Sequence, residues 1–234
     1  WLLYASKASD YRPPSDKQDA EARLMKAKEK YGRAFRKDPP QRNRRVWEHF
    51  LARNMKLART NYKGCPTQVQ WVLKDRERIW KGHPQGEQQA ALLTGEAGLY
   101  HQGVIYALIN SESSFCVNVP IYIGQSTDHV VGRTQRHTDK AHAESSKDLE
   151  PKVIEALRKT QRWWTKWVMV PLESIPLPTN CKRGTQAFLD RFRASATVRE
   201  QAWIRLMRTG FPNGLNIEVH QGNPDTKKRR EARK

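Results

Sequence analysis

The segments GVIYALIN, residues 103–110, and VPIYIGQ, residues 119–125, decide the fold of this 234-residue chain. Each segment is short, rich in apolar and β-branched residues, carries one tyrosine and is bounded by residue types that favour turns. The residues between them begin with a polar stretch. This length and composition predict two neighbouring antiparallel strands joined by a loop.

The residues after the second strand predict the other elements of a small domain. Residues 126–143 and 151–160 have helical spacing, and residues 163–171 are rich in the aromatic and β-branched types typical of a third strand. A helix or helix pair is predicted over 185–208 and a short extended piece over 215–219. The pattern predicts an α/β (α+β) fold, in which helices flank a small three-stranded sheet of mixed or antiparallel strands.

The residues ahead of this domain predict a basic helical extension. One helix is expected over 15–37, a second follows the basic segment 41–45 and ends near residue 60, and a third covers 67–81. Residues 82–98, rich in Gly and Gln, are typical of a linker. We divide the chain into an extension with its linker over 1–95, a domain over 96–221 and a basic tail over 222–234.

Positive charge is concentrated at the two ends of the chain. The net charge is +19; residues 1–90 hold 21 basic and 10 acidic side chains, residues 91–226 hold 16 and 13, and residues 227–234 hold 6 and 1. Basic flanks around a nearly neutral middle indicate contact with nucleic-acid phosphates. The candidate nucleic-acid-binding residues are Arg42, Arg44, Arg45, Lys227, Lys228, Arg229 and Arg230.

Other functional classes have less support in the composition. No apolar run approaches the roughly 18 residues of a membrane helix, and an anionic membrane surface is the weaker alternative because no basic helix has a wide apolar face. Mean hydropathy is -0.86, which predicts one good core with much polar polypeptide around it.

The cysteines give no sign of a disulfide framework or a zinc site. Cys65, Cys116 and Cys181 lie far apart, are odd in number and lack zinc-ligand spacing, which favours a reducing compartment. Because the chain starts at Trp1, a preceding targeting peptide stays an open question.

Several motifs occur in the order typical of one nuclease superfamily. They are GVIY at 103–106, IYIG at 121–124, Arg133 and His137 in GRTQRH, Glu200 in REQAWI, and Asn216 in GLNI. With these motifs, residues 98–221 resemble the GIY-YIG nuclease superfamily, which includes homing endonucleases and the nuclease module of bacterial excision repair. The resemblance implies a small sheet flanked by helices and a divalent-metal-dependent endonuclease.

The resemblance also implies roles for individual residues. Tyr106 would orient or deprotonate the attacking water, and Tyr122 would position the phosphate. Arg133 would stabilise the negative charge of the transition state, and Glu200, a hard oxygen ligand, would hold Mg²⁺ or another divalent cation. His137, one helical turn after Arg133, would share proton handling or phosphate contact.

Asn216 would brace the site through its amide. Each of these residues also has an ordinary structural interpretation: half-buried strand tyrosines, a solvated basic helix face, a surface glutamate and a turn asparagine. The chain departs from the family pattern in three places. No glycine directly precedes Ile105. Tyr122 follows Tyr106 by 16 residues, a few more than is usual in the family, and Arg133 lies about one residue further from the glycine of the second motif than the family pattern has it.

A second hypothesis belongs to a different functional class. The nuclease fold is retained as a structural, RNA-binding part of a ribonucleoprotein, with an organellar (mitochondrial) ribosome as the favoured example. Its partners would be ribosomal RNA and ribosomal proteins in the mitochondrial matrix. Long basic extensions around a nearly neutral fold motivate this hypothesis. The enzyme hypothesis is placed slightly ahead because the set of site residues is complete.

Overall fold

The computed structural model describes residues 41–112, 121–142, 152–210 and 213–216. The predicted helix over 15–37 and the basic tail over 222–234 lie outside these residues, and so does most of the loop that joins the two tyrosine strands.

Eight helices and three strands make up the described part of the chain. The helices are α1 (Gln41–Arg59), α2 (Thr67–Lys81), α3 (Gly86–Leu93), α4 (Glu96–Tyr100), α5 (Val130–His142), α6 (Lys152–Lys159), α7 (Trp163–Lys166) and α8 (Gln186–Leu206). The strands are β1 (Gln102–Asn110), β2 (Ile121–His129) and β3 (Trp167–Ser174). Among the described helices, none has the length and apolar character that crossing a bilayer requires.

The strands form one antiparallel sheet with β1 in the centre, in the order β2-β1-β3. Helices cover both faces of this sheet, because Tyr106 contacts α5 whereas Glu173 on β3 contacts α8. Successive side chains of a strand point to opposite faces. In the observed register Tyr106 pairs with Gly124, and Ile105 pairs with both Gln125 and Glu173. Tyr106 and Gly124 therefore face α5, and Gln125 and Glu173 face α8. The predicted α+β fold with a small three-stranded sheet is confirmed.

Element boundaries match the sequence predictions to different degrees. α2 covers the predicted residues 67–81. The helix predicted from residue 126 begins at Val130, because Ser126 and His129 still pair with β1. The predicted third strand begins with the helical turn α7 and becomes a strand at Trp167, since the Trp163 ring turns inward onto Phe50, with the ring centroids 5.1 Å apart.

The linker predicted over residues 82–98 is wrong, because this segment forms α3 and the start of α4. Leu92 and Leu93 are buried in the core. Its glycines permit close packing instead of flexibility: a Cβ on Gly86 would lie 1.7 Å from the Trp80 carbonyl oxygen, and one on Gly98 would lie 2.2 Å from that of Leu93. The glycines of this segment therefore allow the backbones of consecutive helices to lie in close contact.

Side chains from the helical extension cover the outer edge of β3. Asn54 accepts a hydrogen bond from the Met169 N–H at 2.8 Å, and the Tyr62 hydroxyl donates to the Met169 carbonyl at 3.1 Å. The Gln89 amide bonds both the N–H (2.7 Å) and the carbonyl (3.1 Å) of Ser174.

Three further side chains donate hydrogen bonds to carbonyl groups along the same edge. Arg53 donates to the carbonyl of Trp167, Arg76 to the carbonyl of Pro171, and Trp80 to the carbonyl of Leu172. An edge that would otherwise expose unpaired backbone groups is thereby closed.

The helical extension shares its core with the sheet. Phe50, Val72 and Trp80, which precede the predicted boundary at residue 95, are buried in the same apolar cluster as Ile105 and Val168. The division of the chain at residue 95 therefore does not coincide with a break in this core.

We expect Asn54→Ala to lower the free energy of unfolding by about 1–3 kcal/mol, because the Met169 N–H would remain buried without an acceptor. Urea unfolding measures the change. Lys56→Ala, at an exposed position of the same helix, is the control and should change stability by less than about 0.5 kcal/mol. An equal loss in both variants would contradict the proposed sealing of the edge.

Candidate active site

The predicted site residues meet around β2, the edge strand that lies between α5 and α8. β1 supplies Tyr106 and β2 supplies Tyr122. α5 contributes Arg133 and His137 from one face of the sheet, and α8 contributes Glu200 from the other. Arg133 lies within hydrogen-bonding range of both tyrosine hydroxyls, and the Glu200 carboxylate is near enough to raise the pKa of both.

Gly124 makes room for the tyrosine of the neighbouring strand. It lies directly opposite Tyr106 in the β1–β2 register. A Cβ at this position would lie 2.8 Å from the Tyr106 hydroxyl oxygen and 2.7 Å from Cε1 of Tyr122. Any larger residue would push both rings away, so the glycine that follows Tyr122 and Ile123 is a steric requirement of the tyrosine pair.

Tyr106 and His137 form a buried hydrogen-bonded pair. The Tyr106 hydroxyl lies 2.9 Å from His137 Nε2, and the side chains are 0% and 5% exposed. Burial, with the nearby positive charges of Arg133, Lys140 and Arg136, lowers the pKa of His137 to about 3. Burial also raises the pKa of Tyr106 well above its usual value. At neutral pH the pair is a protonated phenol beside an uncharged imidazole.

Tyr122 is the more accessible of the two tyrosines. Its ring is partly buried and packs edge-on against His137, with centroids 5.6 Å apart, and against Tyr106 at 6.4 Å. Burial and the Glu200 carboxylate raise the pKa of Tyr122 to about 12. The hydroxyl is therefore protonated at neutral pH and able to donate a hydrogen bond to an anion.

Arg133 supplies the positive charge of the site. Its guanidinium is partly buried, and its Nε is a buried donor without a hydrogen-bond partner among the described residues. Burial disfavours the charged form, but the surrounding Tyr106, Tyr122 and Glu200 outweigh this effect and raise the pKa of Arg133. The guanidinium also lies within hydrogen-bonding range of the Tyr106 and Tyr122 hydroxyls, which hold it in place. Its remaining donors are suited to bind an oxyanion such as a phosphate.

Glu200 carries the carboxylate of the site and is fixed by Gln125. The Gln125 Nε2 donates to Glu200 Oε2 at 2.8 Å. Burial raises the pKa of Glu200, while the Gln125 hydrogen bond and the charge of Arg133 act in the opposite direction. Within the described ranges Glu200 Oε1 has no hydrogen-bond partner, so this oxygen is free to accept a ligand.

A second carboxylate, Glu173, orients the helix that carries Glu200. Arg199 Nε donates to Glu173 Oε1 at 2.6 Å, and Trp203 Nε1 donates to Oε2 at 2.7 Å. These bonds link two neighbouring turns of α8 to β3. Because both Glu173 oxygens are occupied and the side chain is buried, its role here is positional.

Asn216 braces β2 from its outer edge. Its Oδ1 accepts from the Ile123 N–H at 2.8 Å and its Nδ2 donates to the Ile123 carbonyl at 2.7 Å. The side-chain amide thus takes the place of a neighbouring strand at the residue between Tyr122 and Gly124. The amide is thus placed on the backbone of β2, and its contribution to an active site stays a prediction.

The predicted nucleic-acid-binding residues are described only in part. Arg45 lies at an exposed position of α1. Arg42 and Arg44 also belong to α1, but their side chains lie outside the described residues. Lys227, Lys228, Arg229 and Arg230 lie outside them as well, so phosphate contact by these residues stays a prediction.

The residues present fit a weakly chelated, hydrated cation. In the part of the chain that the structure describes, no group of three or more His, Cys, Asp or Glu side chains is placed to enclose a metal ion. Glu200 Oε1 offers one hard oxygen ligand, and Mg²⁺ commonly keeps several waters beside one or two carboxylates. Glu200 would hold such a cation.

Gln125 and Glu173 are site residues that the sequence analysis did not identify. Gln125 directly follows IYIG, and Glu173 is an isolated carboxylate in the apolar strand WVMVPLES. A charged residue at a buried strand position signals a paired partner. Its partner, however, lies 26 residues away on α8, at a distance set only by the fold.

Comparison with known proteins gives no match: no family model, curated protein or solved structure is significantly similar to the chain.

We expect stability to fall more steeply with acid in the wild type than in His137→Gln. The pKa of His137 is lower in the folded chain, about 3, than the usual 6.5, so the unfolded state binds more protons between these values. The stabilising contribution is complete above pH 6.5 and is lost as the pH falls towards 3. At pH 5 the loss relative to pH 7 should be about 2 kcal/mol.

Urea unfolding of both proteins at pH 7 and pH 5 measures this difference. The other histidines and carboxylates are common to the two proteins and cancel in the comparison. Identical pH dependence in the wild type and His137→Gln would show that His137 is not held in its neutral form by the fold.

Proposed function

We propose that the protein is a GIY-YIG-type endonuclease that hydrolyses phosphodiester bonds of nucleic acid with the help of a divalent cation. The sequence resemblance supplies the family. The contacts around β2 support it by bringing a guanidinium, two phenols, an imidazole and a carboxylate into one neighbourhood.

One observation carries the proposal. Arg133, with its unbonded and buried Nε, lies close enough to Tyr106, Tyr122 and Glu200 to influence the pKa of all three. A phosphate that meets the exposed part of the Arg133 guanidinium would bring a negative charge to it, close to the Tyr122 hydroxyl.

Each accessible residue then has a chemical task. Arg133 binds phosphate oxygens and stabilises the charge that develops on them during cleavage. Tyr122, protonated at neutral pH, donates a hydrogen bond to the same group. Glu200 would hold the cation through Oε1, and the cation, when bound, would supply further positive charge and lower the pKa of a bound water.

Tyr106 and His137 form a separate proton-handling pair behind this surface. Because Tyr106 is 0% exposed, its hydroxyl reaches an attacking water only when the site opens to solvent. There the Tyr106 hydroxyl shares a hydrogen bond with the neutral His137 Nε2, and the low pKa of His137 disfavours full transfer of a proton to the imidazole. The role predicted for Tyr106 therefore requires a movement of the residues that cover it.

Incubation of the protein with single- and double-stranded DNA and RNA in Mg²⁺ tests the proposal. We expect cleavage that EDTA abolishes and that Arg133→Ala or Glu200→Ala reduces by about 10²–10³-fold, the loss typical for removal of one transition-state contact. Arg78→Ala and Asp190→Ala, which alter exposed residues outside the site, are matched controls. Cleavage that survives both site substitutions would refute the assignment.

The burial of Tyr106 and His137 favours one alternative, in which the fold is a structural RNA-binding part of a ribonucleoprotein such as a mitochondrial ribosome. In that role the tyrosine pair serves packing and needs no opening. Stable co-sedimentation with ribosomal particles at moderate salt, together with no cleavage of any substrate, would support this alternative over the enzyme.

A further inference from the structure

Gln125 has one polar atom that the fold leaves unsatisfied. The orientation of its amide is fixed by its neighbour, because a carboxylate oxygen only accepts hydrogen bonds and Glu200 Oε2 therefore faces the Gln125 Nε2 group. The other end of the amide, Oε1, is buried and has no hydrogen-bond partner among the described residues. A buried acceptor left without a donor is costly, which favours a donor from outside the described chain. Because Oε1 keeps less than 1 Å² of accessible surface, that donor reaches it only when the side chains that cover it move aside, as the Tyr106 hydroxyl also requires.

The surroundings of Gln125 narrow down what this donor is. The nearby carboxylate is Glu200, whose Oε1 is free among the described residues, and the second carboxylate on this face, Glu173, has both oxygens occupied. A group that satisfies Gln125 and Glu200 together must present hydrogen-bond donors to one and positive charge to the other. A hydrated divalent cation does both, because its bound waters are strong donors and the ion itself binds the carboxylate.

We propose that the Gln125 Oε1 accepts a hydrogen bond from a water molecule of a hydrated divalent cation that Glu200 binds. This inference rests on the proposed function and adds a residue to it. Gln125 acts at both ends: Nε2 orients the carboxylate, and Oε1 orients a water of the ion. Gln125 is thus a positioning residue, and it allows a site with one carboxylate to hold an ion that keeps most of its waters.

Mn²⁺ binding, measured by water-proton relaxation in the absence of nucleic acid, tests the proposal without relying on activity. Gln125→Met removes both amide contacts at similar length, and its Kd for Mn²⁺ should rise roughly 10-fold, as for other residues that hold a metal's outer ligands. Gln125→Glu keeps an acceptor at the Oε1 position and should bind Mn²⁺ at least as tightly as the wild type. Gln186→Met, at an exposed position on α8, is the control and should leave the Kd unchanged.

Two outcomes would overturn the role of Gln125. In one, Gln125→Met binds Mn²⁺ like the wild type, so the Oε1 partner is an ordinary structural water. In the other, Gln125→Glu weakens binding as much as Gln125→Met, so only the Nε2 contact to Glu200 matters. Failure of the proposed function itself is distinct: Glu200→Gln would then leave Mn²⁺ binding unaffected, whereas under the proposal it abolishes the binding.

Discussion

The close packing of Tyr106 against Gly124 is the contact on which the candidate site depends. The two residues face each other across the central strand pair, and the space above Gly124 is filled by both tyrosine rings. A shift of one residue in the register would send Tyr106 to the opposite face, away from His137. The glycine therefore fixes which face of the sheet carries the phenols, and with it their distance from α5.

The rest of the structure holds this strand pair from three sides. Asn216 binds the backbone of Ile123 at the outer edge of β2. On the α8 face, Glu173 ties Arg199 and Trp203 to β3. Beyond β3, side chains from α1 to α3 complete the backbone hydrogen bonds of the far edge. The basic helical extension is thus an integral part of the support for the sheet, since its polar side chains replace a fourth strand.

Local patterns in the sequence predict much of this architecture. The two tyrosine strands, the extent of α2 and the long helix around Glu200 follow from apolar periodicity. The helices α3 and α4 do not follow from periodicity, because their glycine-rich segment has the composition of a linker. In the fold, Gly86 and Gly98 instead allow close contact with the backbone of Trp80 and Leu93. The sequence motifs also identify five residues that the fold groups around β2: Tyr106, Tyr122, Arg133, His137 and Glu200. Gln125 and Glu173 can be identified only from the fold, which places α8 beside the sheet.

We propose that one site around β2 binds a cation at Glu200 and a phosphate at Arg133 simultaneously. The most direct measurement is the broadening of ³¹P resonances of a bound phosphorothioate oligonucleotide by Mn²⁺. We predict strong broadening with the wild type and its loss with Glu200→Gln, since paramagnetic relaxation requires the ion to lie near the phosphorus. Equal broadening with both proteins, or none with the wild type, would contradict a shared site.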